Sequence, residues 1–240
     1  MIDYGFYNMD CMEGMMQFPD KYFDLAIVDP PYGDGIQKIG GGGAPTQETI
    51  QPIWEPEQHI RTIQTVSRTG GTWATRYGKK IISWDVAPGA EYFKELFRIS
   101  RNQIIWGGNY FELPPTRCFL IWRKLTISDS FSMAMCEYAW TSFSSNAKIF
   151  EYQPQGKEGE RFHPTQKPVA LYEWILNRYA KPGDTILDTH AGRASSLIAC
   201  HRTGHKYVGF EIDEYYYQMA KKRLDAEEAQ MNIFEYMKQQ

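Results

Sequence analysis

Asp29, Pro30, Pro31 and Tyr32 are residue types that suit chemistry on an amino group. A carboxylate and a backbone carbonyl can each accept a hydrogen bond from the same –NH2. Two prolines stiffen the backbone, so the Pro30 carbonyl is held in one direction. Tyr32 offers a flat face on which a base can stack. The tetrad therefore fits an exocyclic amine of a nucleobase. An ordinary turn with a helix-capping acid uses the same residue types, so the rest of the chain has to decide.

A second constellation lies in the C-terminal third. Thr185-Ile186-Leu187-Asp188 reads as a strand, Thr189 to Arg193 as a glycine-bearing turn, and Ala194 to Cys200 as a helix. Strand, glycine turn and helix make a nucleotide pocket in doubly wound folds, because glycine lets the backbone approach the ligand. About twenty residues on, the strand through Val208 ends in Glu211, a spacing at which an acid accepts both hydroxyls of a ribose. GxGxxG is absent, which argues against a dinucleotide site; a plain structural turn is the alternative. Upstream, His163-Pro164-Thr165-Gln166-Lys167-Pro168 opens a helix, a place that favours an anionic group.

These residues need a sheet to hold them. Phe23 to Val28 is an apolar run of the kind found in buried parallel strands. Further strands are expected at Tyr4–Met9, Gln103–Trp106, Cys118–Trp122, Glu137–Thr141, Ile149–Gln153 and Lys206–Glu211. Helices are expected at Cys11–Phe18, Pro88–Arg98, Pro168–Tyr179 and Glu214–Glu228, and one at Glu57–Ser67. The alternation predicts an α/β fold with a mostly parallel, doubly wound sheet. Gly33 to Pro56, with four consecutive glycines from Gly40, reads as a long loop that closes over the tetrad. No Lys-Ser/Thr pair follows those glycines, so a phosphate loop is disfavoured. Arg76, Lys79 and Lys80 are candidate phosphate contacts or a solvated face.

A chain of 240 residues fits one domain, here 1–240, with a catalytic half over about 1–155, a second half over about 160–240 and an insertion at 33–77. A net charge of −3 excludes a general polyanion binder, so any nucleic-acid contact is local. The four cysteines lack metal-ligand spacing and read as reduced thiols. His201 and His205 are four residues apart but have no evident third ligand, so no metal site is expected. Met1 onwards shows no basic and apolar leader, and no long apolar run exists, so a cytoplasmic location is expected.

DPPY, HPTQKP and the Asp188-to-Glu211 unit, in this order, resemble the beta-class amino-methyltransferases acting on DNA, most of all the short adenine-N6 enzymes. The resemblance also covers Asn8 to Cys11, Trp84 to Pro88 and Ile105 to Phe111. It implies a Rossmann-like methyltransferase sheet of seven strands with S-adenosylmethionine as methyl donor. By resemblance, Asp188, His190, Ala191 and Gly192 lie beside the methionine part of the cofactor and Glu211 holds the ribose. Asp10 and Cys11 approach the cofactor's adenine, and His163, Thr165 and Lys167 help hold its methionine end, with Asp29 close to it. Asp29, Pro30, Pro31 and Tyr32 would hold the target base, and Asn109, Arg123 and Lys124 are candidate contacts to DNA. A homodimer is one route to sequence preference. Such enzymes acting on cytosine N4 usually carry Ser in place of Asp29. One departure stands out: the family's Phe-x-Gly-x-Gly is His190-Ala191-Gly192-Arg193-Ala194 here, with alanine for the second glycine and a bulky, charged Arg193 beside the pocket. A nucleic-acid-binding or regulatory member with a decayed cofactor loop is therefore the rival reading.

Overall fold

The computed structural model describes residues 2–32, 49–50, 61–62, 86–127, 134–153 and 166–238. Their elements in chain order are β1 (Gly5–Asn8), α1 (Cys11–Met15), β2 (Phe23–Val28), β3 (Thr49–Ile50), β4 (Arg61–Thr62), α2 (Ala90–Ile99), β5 (Ser100–Trp106), β6 (Phe119–Lys124), β7 (Cys136–Thr141), β8 (Lys148–Tyr152), α3 (Val169–Tyr179), β9 (Thr185–Asp188), α4 (Ser195–Thr203), β10 (Lys206–Glu211) and α5 (Glu214–Lys238). The chain divides into two compact units, residues 1–32 with 86–240, and residues 33–85.

The larger unit holds an eight-stranded sheet in the order β1-β10-β9-β2-β5-β7-β6-β8. The resemblance implied seven strands; β8, pairing in parallel with β6 at the edge, makes the eighth. β7 alone runs antiparallel, between β5 and β6. β2 is central and buried along nearly its whole length, as its unbroken apolar run requires. From Leu25 to Val28 its residues alternate between two cores, and Phe23 at its start joins the second. Leu25 and Ile27 face one with α3, α4 and α5; Phe23, Ala26 and Val28 face another with α1 and α2. Each large apolar side chain buried in these layers contributes about 1.5–3 kcal/mol.

The chain leaves β2 towards β5 and leaves β9 towards β10, in opposite directions across the sheet. β2 and β9 are direct neighbours. The crevice between their carboxyl ends is the switch point at which open α/β sheets bind ligands. Asp29 follows β2 and Asp188 ends β9, so both acids stand at this crevice.

In the smaller unit, β3 and β4 pair antiparallel, with Thr49 opposite Thr62 and Ile50 opposite Arg61. This corrects two expectations: Thr49–Ile50 interrupts the long loop, and Arg61–Thr62 is extended, not helical. The glycine run and Arg76, Lys79 and Lys80 lie outside the described residues. α5 runs ten residues further than its expected end at Glu228.

Candidate active site

Asp10 caps α1: its Oδ1 accepts from the Met12 N–H at 2.8 Å and the Glu13 N–H at 3.3 Å. The cap fixes Asp10 and Cys11 at the end of β1. They line a cleft of about 370 Å³ together with Met12, Pro88 to Tyr92 and His190. His190 is held by its neighbours, with Nδ1 2.9 Å from Thr189 Oγ1 and Nε2 4.0 Å from Cys11 Sγ. Burial lowers its pKa to about 4, so the imidazole is neutral near pH 7. Burial also pushes the Cys11 thiol up to about 12, so it is an apolar wall and not a nucleophile.

The turn after β9 is closed by backbone hydrogen bonds. The His190 N–H donates to Asp188 Oδ1 at 3.0 Å, and Ser196 Oγ donates to Oδ2. The Ala191 N–H donates to the Phe210 carbonyl at 2.8 Å. Glu211 accepts at both oxygens, from the Gly192 N–H at 3.0 Å and the Asp213 N–H at 2.9 Å. Each oxygen keeps a further lone pair, the acceptor pattern that a vicinal diol needs. Burial raises Asp188 to about 6 and Glu211 to about 7, and the Asp29 charge adds to the shift of Asp188.

Ala194 has φ 57° and ψ 27°, in the left-handed region where the family's glycine would be at home. The loop nevertheless keeps its bonds, including the Ala194 N–H to the Ala191 carbonyl at 2.7 Å. Ala194 is fully buried in the core beneath α4. The strained backbone costs about 1–2 kcal/mol, while the buried methyl returns about 0.8 kcal/mol and glycine would cost extra chain entropy of about 0.5–1 kcal/mol. These nearly cancel, so the alanine is tolerated. Arg193 does not fill the cleft: it is buried and donates to Gln166 Oε1, tying this loop to the segment before α3.

Asp29 is the centre of a second cluster. Its Oδ1 accepts from the Tyr32 hydroxyl at 2.7 Å, and its Oδ2 pairs with Lys167 Nζ. Lys167 also reaches Glu137 Oε2 at 3.1 Å, and Glu137 Oε1 pairs with Lys124 at 2.6 Å. Two acids and two bases thus alternate along one chain. The Lys167 and Lys124 side chains are 2% and 7% exposed, so these pairs are poorly screened. Burial alone would lower the Lys167 pKa, but Asp29 and Glu137 outweigh it and the ammonium stays charged. The same two lysines hold Glu137 below the usual carboxylate range against its burial. Trp106 floors the cluster, with Lys167 Nζ 5.1 Å from its ring centroid.

Tyr32 is seated by Gly107. That glycine has φ 66°, and a Cβ there would stand 2.1 Å from Tyr32 Cε1. Any other residue would displace the tyrosine.

The expected site residues therefore fall into groups. Asp10, Cys11 and His190 line the cleft. Asp188 ends β9, Ala191 and Gly192 lie in the turn after it, and Glu211 ends β10. Asp29, Pro30, Pro31, Tyr32 and Lys167 gather at the switch point. Lys167, expected at the cofactor, has its Nζ on Asp29 and Glu137. Lys124, expected at DNA, is instead buried on Glu137. Arg123 is exposed and pairs with Glu151 at 2.8 Å, and Asn109 is exposed. His163 and Thr165 lie outside the described residues. Glu137 was not singled out in the sequence: an acid in an otherwise ordinary strand gives no signal until β7 is placed beside β5. Among the described residues no group of His, Cys, Asp and Glu could hold a metal, and no helix is long and apolar enough to cross a membrane.

A profile of the family described as DNA methylase, of the N6/N4 type, matches residues 44–222. The chain belongs to this N6/N4 DNA methylase family. Among curated relatives, the type II methyltransferase M2.DpnII of Streptococcus pneumoniae is 40% identical over 246 residues, spanning 92% of this chain and 89% of the relative. The methylase YubD of Escherichia coli K12 is 24% identical over 230 residues, 92% and 90% of the two chains. Among solved structures, the cytosine-N4-specific PvuII methyltransferase matches with a TM-score of 0.55 at 13% identity, over 93% of this chain and 86% of that one. The M1.HpyAVI–SAM complex matches with a TM-score of 0.51 at 18% identity, over 91% and 98%. At these identities the structural matches speak for the fold, which is the Rossmann-like methyltransferase fold.

Two outcomes follow for the methylase. Ala194→Gly is expected to change stability by less than about 1 kcal/mol, because strain, methyl burial and entropy offset one another. Ala194→Val, a β-branched residue at positive φ, should lower the melting temperature clearly; equal melting of all three proteins would refute the balance. Glu137→Gln leaves two buried ammonium groups sharing one neutral acceptor. It should cost about 3 kcal/mol in denaturant unfolding, and an unchanged midpoint would mean the pairs carry no weight.

Proposed function

We propose that this chain is an adenine-N6 DNA methyltransferase that uses S-adenosylmethionine. The observation that carries the reading is Asp29 at the switch point, fixed by Lys167 and Tyr32 at the strand end next to Asp188. The donor set suits the cofactor. Glu211 has acceptor capacity for a ribose diol, Asp188 offers a buried carboxylate, and the cleft at Asp10, Cys11 and His190 has apolar walls for a purine. S-adenosylmethionine supplies an electrophilic methyl group and leaves as a neutral thioether.

The residues of the chain do the rest. The target adenine leaves the duplex stack and lies on Tyr32. Its amino hydrogens are taken by Asp29 and the Pro30 carbonyl. The lone pair, otherwise delocalised into the ring, is then localised on nitrogen and aimed away from both acceptors. With the cofactor bound, the nitrogen would take its methyl group while the sulfur kept the bonding electron pair, and the proton shed by the methylated nitrogen would pass to Asp29 Oδ1 and on to water. The Lys167 contact holds Asp29 Oδ2 in place, which leaves Oδ1 to face the amine. The work is positioning and fixed charge.

Cytosine N4 is the second reading, supported by the fold of the cytosine-N4-specific PvuII enzyme. Asp29 itself favours adenine by resemblance. DNA from a host expressing the chain, digested to nucleosides and analysed by mass spectrometry, should contain N6-methyladenine. Asp29→Ala should reduce it by more than about 100-fold, the loss of a key polar contact in the transition state. N4-methylcytosine would move the assignment to the second reading, and neither base would end both.

The raised pKa of Glu211 sets a pH dependence. A diol donates best to a carboxylate, so bound cofactor favours the ionised form, and its affinity rises with pH through about 7. Below that, affinity should fall by up to about tenfold per pH unit. His190, with its pKa near 4, does not contribute in that window. Without cofactor the sign for folding is opposite. The folded chain holds protons on Glu211 and Asp188 that the unfolded chain releases near pH 4, so stability declines as pH rises from there through about 7. Calorimetric titration on either side of pH 7, in two buffers of different ionisation heat, should show proton release on binding. A pH-independent affinity would contradict the assignment of Glu211 to the ribose.

A further inference from the structure

Tyr110 is 54% exposed, yet its ring lies flat on Tyr32, with centroids 4.7 Å apart and planes 14° from parallel. It ends a short 3-10 turn, Gly108–Tyr110, whose backbone is anchored. The Gly107 N–H donates to the Tyr138 carbonyl at 2.9 Å, and the Tyr110 N–H donates to the Gly107 carbonyl at 2.8 Å. Gly108 is pressed on Trp140, where a Cβ would come within 2.4 Å of the Trp140 Cβ. The other neighbours of Tyr32 are packed. Its hydroxyl is on Asp29, Gly107 meets its edge, and the Phe111 ring stands 6.2 Å away at 65°. Tyr110 is the exposed member of this group, on a fixed turn, against the ring that is to receive the base.

We propose that Tyr110 is the second stacking wall of the target-base pocket. The flipped-out base enters between Tyr32 and Tyr110, which part by one ring thickness, and Tyr110 covers its outer face. The side chain can turn about its own torsions while the anchored backbone stays in place. This rests on the reading of Asp29 to Tyr32 as the amine site and adds a residue to it. A surface pair that merely packs would have no such role, and the two cases separate in binding.

Sequencing of DNA from the expressing host locates the methylated position. A short duplex carrying that site, and the same duplex abasic at the target position, are then titrated with wild type, Tyr110→Ala, Tyr110→Phe and Tyr110→Trp. Tyr110→Ala should bind the intact duplex about 5- to 100-fold more weakly, the loss of one base–aromatic stack. Tyr110→Phe and Tyr110→Trp should bind it as wild type does. On the abasic duplex all four should bind alike, because no base is present to stack. The melting temperature and cofactor affinity of Tyr110→Ala should match wild type. Undiminished binding by Tyr110→Ala, or an equal loss on the abasic duplex, overturns the proposal. If wild type methylates no position, the reading of the amine site fails and the proposal falls with it; if it methylates and only the Tyr110 comparison fails, the amine site stands alone.

Discussion

The ammonium of Lys167 is the point on which the site depends. A lysine this deeply buried would shed its proton if it stood alone, since desolvation of a charge in the interior costs several kcal/mol. It keeps the proton because two carboxylates lie against it. One of them, Asp29, is thereby fixed at the crevice between β2 and β9, where the proposed function places the amino group. The other, Glu137, offsets the positive charge and is itself balanced by Lys124. The alternation leaves the cluster neutral overall, so no member faces an uncompensated charge. Removing any one of them exposes the rest to the full desolvation penalty.

The topology explains why these residues meet. Asp29 comes after β2, Lys167 just before α3, Glu137 from β7 and Lys124 from β6. No two are neighbours in sequence. The sheet brings them together because β7 runs antiparallel between β5 and β6, which carries a strand of the second half-sheet to the edge of the switch point. The opposite half, β9, β10 and β1, delivers Asp188, Glu211 and Asp10 at their carboxyl ends. Two halves of the sheet thus supply two groups of residues, to which the proposed function gives two tasks, acceptance of an amine on one side and holding of a nucleoside on the other. The junction of β2 and β9 is where they touch, and the Asp29 charge is felt by Asp188 across it.

Much of this was legible in the chain. Phe23 to Val28 announces a buried strand by its unbroken apolar run, and an acid followed by two prolines marks its end. Asp188 and Glu211 are legible because each closes a short strand before a glycine turn or a helix. What was hidden is long-range pairing. Lys124 looks like an exposed base at a strand end, and only the pairing of β6 with β7, which sets Glu137 opposite Trp122, brings the acid within reach of its ammonium and shows that it is buried. Lys167 sits in a motif that suggests an anion site; the anions turned out to be carboxylates of the chain itself. Arg193 looked like an obstacle in the cofactor loop, but its direction depends on Gln166, which local sequence does not reveal. The strand pair at Thr49 and Arg61 was missed because two-residue strands carry no periodicity to read.

The resting state of Asp29 also bears on how it works. Both of its oxygens already have a donor, Tyr32 on one and Lys167 on the other. Under the proposed function an arriving amine either takes the second lone pair of Oδ1 or exchanges with the Tyr32 hydroxyl there, and does not meet a bare carboxylate. Such an exchange is close to neutral in free energy, because the net value of one hydrogen bond over another is small. On the proposed reading the discrimination comes from elsewhere: from stacking, from the second acceptor at the Pro30 carbonyl, and from the Lys167 contact that holds Asp29 in place. A site organised this way spends little on desolvating its carboxylate when substrate arrives, because that cost was met when the protein folded. If the amine is received there, its rate depends on how well the ring is held, which gives the aromatic residues around Tyr32 as much weight as the acid they surround.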